Sequence, residues 1–344
     1  MKTIAAYKAL PIDHPESLLD MDLPIPNPKE HDLLVKVRAV SVNPADYRVR
    51  KRITEGSTVT ILGWDASGVV EKTGALVAEY KPGDEVYYAG DLNRPGCNSE
   101  YQLVDARVVG RKPKTIDHAH AAAIPLTSLT AWEALFERLQ LPKAGKPVGR
   151  SLLIIGGAGG VGSMAIQLAQ HVPGLTVIAT ASRSESKQWV KDLGAHYIID
   201  HSKDISKQLS VLGYEYVDTI LCLNSPDEHW NAICKVIAPM GKICGIVPFL
   251  KAPDINLLLQ KSASFIWEMM FTRTIFQTAD ITMQRDILNA ISEMVDAGLL
   301  RSTLKQIIGQ INADNLKKAH SQLESNRTIG KLVLEGFNSR SINH

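Results

Sequence analysis

Residues 156–162 read Gly-Gly-Ala-Gly-Gly-Val-Gly, five glycines in seven positions. That density costs backbone entropy on folding, so the loop must need conformations or close approaches that side chains forbid. The apolar run 151–155 precedes it, and Val161, Ala165, Leu168 and Ala169 follow on one helical stripe. Strand, Gly157-x-Gly159-x-x-Gly162 loop and helix in that order are what the dinucleotide fingerprint requires. Gly157 makes the tight turn, Gly159 lets backbone approach a pyrophosphate, and Gly162 allows close helix–strand packing. The first-turn N–H groups of Gly160, Val161 and Gly162 then present a partial positive charge to the phosphates. A glycine-rich turn without a ligand is the weaker alternative, because a second strand also stands at the expected offset.

The two nicotinamide cofactors differ in what the end of that second strand must offer. An acidic residue about 20 positions past the last glycine bonds a free ribose 2′-hydroxyl. Here that place is Ala181, within Ala-Thr-Ala-Ser-Arg-Ser-Glu-Ser-Lys. Ser182, Arg183 and Lys187 supply a hydroxyl and two cations instead, which suits a 2′-phosphate. The loop is therefore expected to hold NADP(H); the alternative makes Arg183 and Lys187 solvated charges at a helix entry. Asn224 and Ser225 follow the apolar run 217–223, where strand C-termini build a ligand crevice.

These residues need a scaffold, and its class is legible from the periodicities. From Ser151 onward, strands (151–155, 175–181, 197–200, 217–223, 241–247) alternate with helical stretches, a pattern that predicts a parallel sheet. The first ~110 residues instead read as short strands joined by Gly/Pro turns, favouring a small barrel or sandwich. Between them, Leu129, Trp132, Leu135, Phe136 and Leu139 predict one helix stopped by Pro142. A helix is expected over 285–300. The tail reads strand–helix–strand and is expected to return to the first domain, since a lone terminal strand needs a sheet to join.

With 38 basic and 36 acidic residues the chain carries a formal charge of +2, no footprint for nucleic acid or anionic membrane. No signal peptide and no run of 18 apolar residues is visible. The cysteines, Cys97, Cys222, Cys234 and Cys244, are scattered without a Cys-x-x-Cys pair and read as buried free thiols. A cytoplasmic protein is expected.

The segments Ser41–Arg50, Leu62–Val70, Tyr80–Gly90, Ala121–Leu135, Leu152–Ala169, Leu193–Asp200 and Leu323–Leu334 together resemble the medium-chain dehydrogenase/reductase superfamily, along nearly the whole chain. Within it they resemble the zinc-independent quinone oxidoreductase branch, which includes bacterial proteins named zinc-type alcohol dehydrogenase-like. The resemblance implies an α/β protein: a GroES-like β-barrel catalytic domain (1–122 and 303–344) plus a Rossmann domain, doubly wound and parallel, over 123–302. It implies an active site in the cleft between the two and a homodimer. It also implies that Asn43 contacts the nicotinamide ribose or substrate, that Thr127 lies near the nicotinamide, and that the backbone of Ile246 and Val247 passes the carboxamide. Lys331 would approach the cofactor phosphates. His201 stands about where the family often uses a Tyr near the 2′-phosphate, a departure from the pattern.

Zinc members of the superfamily carry a Cys and a Gly-His-Glu segment in the first domain. Asn43 stands in place of the Cys, and Trp64 and Asp65 in place of His-Glu. A catalytic zinc needs three protein ligands, so no metal is expected. His118 and His120 offer no replacement, since an i, i+2 pair at a helix start points to different faces; they read as a solvated helix entry. Trp64 is expected to pack near the cleft and Asp65 to cap or orient backbone. Tyr47 is the one proton-donor candidate, its alternative being an ordinary buried tyrosine. The Phe-, Trp- and Met-rich stretch 262–277 is open between acceptor pocket, dimer contact and core.

Without a metal, hydride from NADPH must go to an acceptor already activated by conjugation: a quinone, an enone or an enal. That is the expected activity. Two alternatives stand beside it, a zinc-dependent alcohol dehydrogenase and a low-turnover NADPH-binding sensor.

Overall fold

A computed structural model describes residues 1–54, 56, 59–143, 145–147 and 149–337. Residues 338–344, which the sequence reading places in the first domain, lie outside the described residues. Residues 1–129 with those from 271 onward form one compact unit, and residues 130–270 form another.

The first unit opens with β1 (Lys2–Ala6), β2 (Leu19–Asp22), β3 (Asp32–Val42), α1 (Pro44–Arg50), β4 (Thr60–Ile61), β5 (Ala66–Thr73), β6 (Glu85–Tyr88), β7 (Tyr101–Asp105), β8 (Gly110–Arg111), α2 (His118–Ala122) and α3 (Pro125–Trp132). The 11-residue β3 is its spine: it pairs antiparallel with β5 and β7. Leu33, Leu34, Val35, Val37, Ala39 and Val40 are all buried, so both faces of this strand are covered rather than one. A small sheet, ordered β2-β1-β4, completes the β part of this unit.

The second unit holds β9 (Arg150–Ile155), α4 (Gly160–Ala169), β10 (Leu175–Thr180), α5 (Ser184–Asp192), β11 (Tyr197–Ile199), α6 (Ile205–Val211), β12 (Val217–Cys222), α7 (Pro226–Val236), β13 (Ile237–Gly245) and β14 (Ser264–Trp267). Its sheet is parallel throughout, ordered β11-β10-β9-β12-β13-β14. The order reverses direction at β9, the doubly wound arrangement in which strand C-termini open a ligand crevice. Leu153, Ile155, Ile178, Ile220, Trp230 and Ile233 are among the buried residues packed on it. The expected single helix to Leu139 divides: after α3, residues Glu133–Arg138 form a π-helical turn in which the Leu139 N–H reaches Ala134 O at 2.9 Å.

The chain then adds α8 (Thr272–Phe276), α9 (Met283–Asp296), β15 (Leu304–Gly309), α10 (Ala313–Glu324) and β16 (Lys331–Glu335) to the first unit. As the tail pattern requires, β16 finds its sheet by pairing antiparallel with β3, Leu332 opposite Val42. The large sheet runs β15-β16-β3-β5-β6-β8. Residues 271–302, assigned to the second domain from sequence, lie with the first unit instead. Tyr87 Oη donates to Leu288 O at 2.5 Å, and Arg111 N–H to Asn289 Oδ1 at 2.9 Å, fixing α9 there.

All four cysteines are unpaired and buried. Among the described residues no helix is long and apolar enough to cross a membrane.

Candidate functional site

In the second unit the glycine loop divides its labour differently from the sequence expectation. Gly156, with φ +89°, makes the turn that Gly157 was expected to make. A Cβ on Gly157 would lie 3.0 Å from Ala179 Cβ, so this glycine serves strand packing. A Cβ on Gly162 would lie 2.4 Å from Gly156 O and 2.7 Å from Gly157 Cα, which no side chain permits. Around Gly159 the nearest atom would be 3.7 Å away, so space stands open beside this backbone. Gly159 also N-caps α4 without a side-chain hydrogen bond, which leaves the first-turn N–H groups of Gly160, Val161 and Gly162 facing outward. Thr180 ties the loop down, its Oγ1 accepting from Gly156 N–H at 3.0 Å and its carbonyl from Gly157 N–H at 3.2 Å.

Other expected cofactor residues belong to the same unit, and of these Asn224 approaches the loop. Ser182 and Arg183 are half-buried at the entry to α5. Lys187 is partly exposed, with Nζ 3.7 Å from Asp200 Oδ2, so part of its charge is already answered. His201 follows β11; its Nδ1 has no partner among the described residues, and its ring lies 6.1 Å from that of His229. Asn224 is exposed, with Oδ1 2.9 Å from where a Cβ on Gly156 would stand. Ser225 enters α7 in the left-handed region, φ +42°. Ile246 and Val247 are half-buried just beyond β13, Ile246 N–H donating to Cys222 O at 3.4 Å.

The first unit gathers Asn43, Asp46, Asp65 and Lys331 into one buried network. Lys331 Nζ donates to Val42 O at 2.9 Å and to Asn43 Oδ1, and lies 3.0 Å from Asp65 Oδ2. Asn43 Nδ2 donates to that same Asp65 Oδ2 at 2.9 Å, while Leu126 N–H donates to Oδ1 at 2.8 Å. Burial pushes Asp65 up, and Lys331, the Leu126 N–H and the Asn43 amide pull it back. Asp46 accepts from the Asn43 N–H, and burial lifts its carboxyl to about 7.

Lys331, expected to approach the cofactor phosphates, has three acceptors around its ammonium inside the first unit and is 3% exposed. Asn43, also expected to reach a ligand, is 1% exposed, with Oδ1 held by Lys331. Trp64 is buried with Nε1 donating to Asp91 O at 3.1 Å, and Thr127 Oγ1 donates to Ile124 O at 3.1 Å. Tyr47 is half-buried, its ring centroid 5.1 Å from Lys51 Nζ. His118 is no solvated helix entry: Ser67 Oγ lies 2.8 Å from Nδ1 and Glu85 Oε1 3.3 Å from Nε2, and burial lowers its pKa. His120 does sit at the exposed entry, with Asp117.

The stretch 262–277 splits. Its first part forms β14, with Trp267 and Met269 exposed. Its last part lies in the first unit, where Thr274 and Gln277 line a small cavity with Gly90, Asp91, Arg94 and Gln102. Among the buried acids that escaped the sequence reading are Glu133 and Glu268. Each is a lone acid among apolar neighbours, Ala-Trp-Glu-Ala-Leu and Ile-Trp-Glu-Met-Met, a signal that could have marked them.

The family model described as an alcohol dehydrogenase GroES-like domain matches residues 29–114, and that described as a zinc-binding dehydrogenase matches residues 193–334. A zinc-type alcohol dehydrogenase-like protein of Staphylococcus epidermidis is 39% identical over 335 residues, 97% of this chain and 99% of its own length. The chain belongs to the medium-chain dehydrogenase/reductase superfamily. Another superfamily relative, the chloroplastic NADPH-dependent alkenal/one oxidoreductase of Arabidopsis thaliana, is 30% identical over 92% of this chain and 75% of its own. A solved Rhizobium etli structure, provisionally described as a zinc-dependent alcohol dehydrogenase, superposes with a TM-score of 0.94 at 48% identity, covering 98% of this chain and 99% of that one.

Two of the relatives' names imply zinc, and the residues that stand by resemblance in place of the superfamily's metal ligands do not fit it. An amide (Asn43) and an indole (Trp64) are not zinc ligands, and the Asp65 carboxylate is already claimed by an ammonium, an amide and a backbone N–H. Among the described residues, no three His, Cys, Asp or Glu side chains converge as a metal site.

Proposed function

We propose that this chain is an NADPH-dependent oxidoreductase that transfers hydride to a quinone or an α,β-unsaturated carbonyl without a catalytic metal. The observation that carries the reading is the Lys331–Asp65 pair. In it the ammonium already claims the carboxylate that stands, by resemblance, in place of a zinc member's Glu, which supports an acceptor that brings its own activation by conjugation. The name of the Arabidopsis relative supports both the cofactor and the acceptor class.

The cofactor, when bound, supplies hydride donation. The chain's own residues supply the rest. Gly159 to Gly162 cradle the pyrophosphate on the α4 N-terminus. Ser182, Arg183 and Lys187 take the 2′-phosphate, with His201 beside them, and Asn224, Ile246 and Val247 line the strand ends. The hydride a bound cofactor would supply would go to the acceptor's electrophilic carbon or quinone oxygen, and one proton would complete the reduction. Tyr47, the half-buried hydroxyl on α1, is the proposed donor, with water the alternative source.

The outer edge of β14, unpaired among the described residues and carrying the exposed Trp267, is proposed to pair with a second copy in a homodimer, a state that light scattering reads directly. Balanced charge and buried free thiols support a cytoplasmic setting.

The deciding experiment measures initial rates of NADPH and NADH oxidation with a simple quinone and a simple enone, each with and without EDTA. NADPH-selective turnover indifferent to EDTA is expected. Turnover lost to EDTA would restore the zinc mechanism. Tight NADPH binding without turnover would make the protein a sensor.

A further inference from the structure

Glu268 lies just past the end of β14 with its side chain wholly buried. Its N–H donates to Gly245 O at 2.9 Å, one step beyond the Gly245–Trp267 register pair that closes β13 against β14. Its Oε2 accepts from Arg138 Nε at 2.8 Å, and its Oε1 has no hydrogen-bond partner among the described residues. Glu133, 1% exposed, acts on the same carboxyl.

The π-helical turn explains how two residues of one helix meet a single carboxyl. At 3.6 residues per turn, positions five apart point about 140° away from each other. The wider i→i+5 turn over Glu133–Arg138 brings its first and last residues to one side. Such turns recur where a side chain must be aimed.

Two carboxylates have only acceptors to offer, so a hydrogen bond between them requires that one keep its proton. The charged and titratable groups facing Glu268 are Glu133 and Arg138, with Glu137 and Cys244 adding smaller fields. With one shared proton, the Glu133–Glu268–Arg138 cluster is neutral, a state that a site without solvent favours. Burial accordingly pushes Glu268 up.

We infer that Glu268, through the proton it shares with Glu133, is a positioning residue for the end of β13, and so for the Ile246–Val247 backbone. The inference rests on the proposed NADPH site. Loss of that proton leaves two buried carboxylates on one guanidinium. The repulsion acts through the Glu268 N–H on Gly245 O, two residues before Val247.

The test compares the full-length wild type with Glu133→Gln, whose amide offers a hydrogen bond to Glu268 but has no carboxyl proton to lose. NADPH binding is followed by its fluorescence, and melting without cofactor is recorded alongside, both between pH 6 and 9. Titration of the 2′-phosphate is common to both proteins. The wild-type Kd is expected to rise about tenfold across that range, the equivalent of one pKa unit, while that of Glu133→Gln stays within about twofold. The melting temperature of the wild type should fall below that of the variant by a margin that widens with pH. A merely structural pair would lower stability or affinity equally at every pH. Parallel pH profiles in binding therefore overturn the inference. If Glu133→Gln does not fold, Glu268→Gln takes its place with the same expectation, because its amide still accepts from Arg138. Absence of NADPH binding by the wild type at every pH overturns the cofactor reading and the positioning role with it. The melting curves then judge the shared proton alone, and a constant margin overturns that as well.

Discussion

The ammonium of Lys331 stands 3.0 Å from Oδ2 of Asp65, with side-chain exposures of 4% and 0%. The pair ties the last strand of the first unit to the start of β5 and, through the Leu126 N–H on Asp65, to the first turn of α3. Removing one member of a buried pair costs about 3–5 kcal/mol, because the other is left charged and unanswered. Lys331→Met is therefore expected to lose stability of that order in urea unfolding. The double variant Lys331→Met/Asp65→Asn should regain part of the loss. A double variant no more stable than the single one would show the two residues to be uncoupled.

Asp46 predicts a pH dependence of definite sign. Burial lifts it from an ordinary 3.8 to about 7 against the opposing Asn43 N–H and Lys331 charge. The folded state thus keeps a proton that the unfolded chain gives up. The associated stability is complete below about pH 4, drains away as pH rises toward about 7, and does not change above it. Asp46→Asn removes the titration, so its stability relative to wild type should climb by up to about 1.4 kcal/mol per pH unit within that window. Guanidinium unfolding at a series of pH values reads the slope; a margin independent of pH would refute it.

Two glycines of one loop should fail in opposite ways. Gly162→Ala places a Cβ 2.4 Å from a backbone oxygen, so the variant should lose fold stability whether or not a ligand is present. Gly159→Ala meets nothing closer than 3.7 Å and has an ordinary φ of −71°. It should melt near the wild-type temperature yet lose NADPH affinity at least tenfold, because its methyl stands where the pyrophosphate would approach. Normal NADPH binding by Gly159→Ala would remove the loop from the cofactor site.

Arg183 and Lys187 are expected to act on NADPH and not on NADH. Asp200 already answers part of the Lys187 charge at 3.7 Å, so Lys187→Ala should raise the KM for NADPH a few-fold. A charge-assisted hydrogen bond contributes about 1.5–3 kcal/mol, so Arg183→Ala should raise it about 10- to 100-fold and leave the KM for NADH alone. Equal losses with both cofactors would place Arg183 away from the 2′-phosphate.

The local chemistry of the sequence reached far into the fold. Strand, glycine loop and helix stood where periodicity put them, and a terminal strand in need of a partner found β3. What spacing could not supply was which glycine takes a positive φ, since Gly156 and Gly157 differ only in their surroundings, Asn224 beside one and Ala179 beside the other. Nor could it supply long-range pairing. Lys331 follows Asp65 by hundreds of residues, and only the strand order brings its ammonium to that carboxylate. The helix at 283–296 shows the same limit: its apolar stripe marks it as packed, but not which sheet it packs on.

The four thiols carry a consequence for survival in use. Quinones and enals are themselves alkylating agents that add to accessible thiolates. Cys97, Cys222, Cys234 and Cys244 lie out of reach, and burial holds Cys222 up at about 12 and Cys234 at about 11, with the other two pushed higher still. Almost no thiolate exists at neutral pH for such a compound to attack. If the proposed acceptors are the substrates, a catalyst built this way would meet them turnover after turnover without being consumed, where one exposed cysteine would make each acceptor a slow poison.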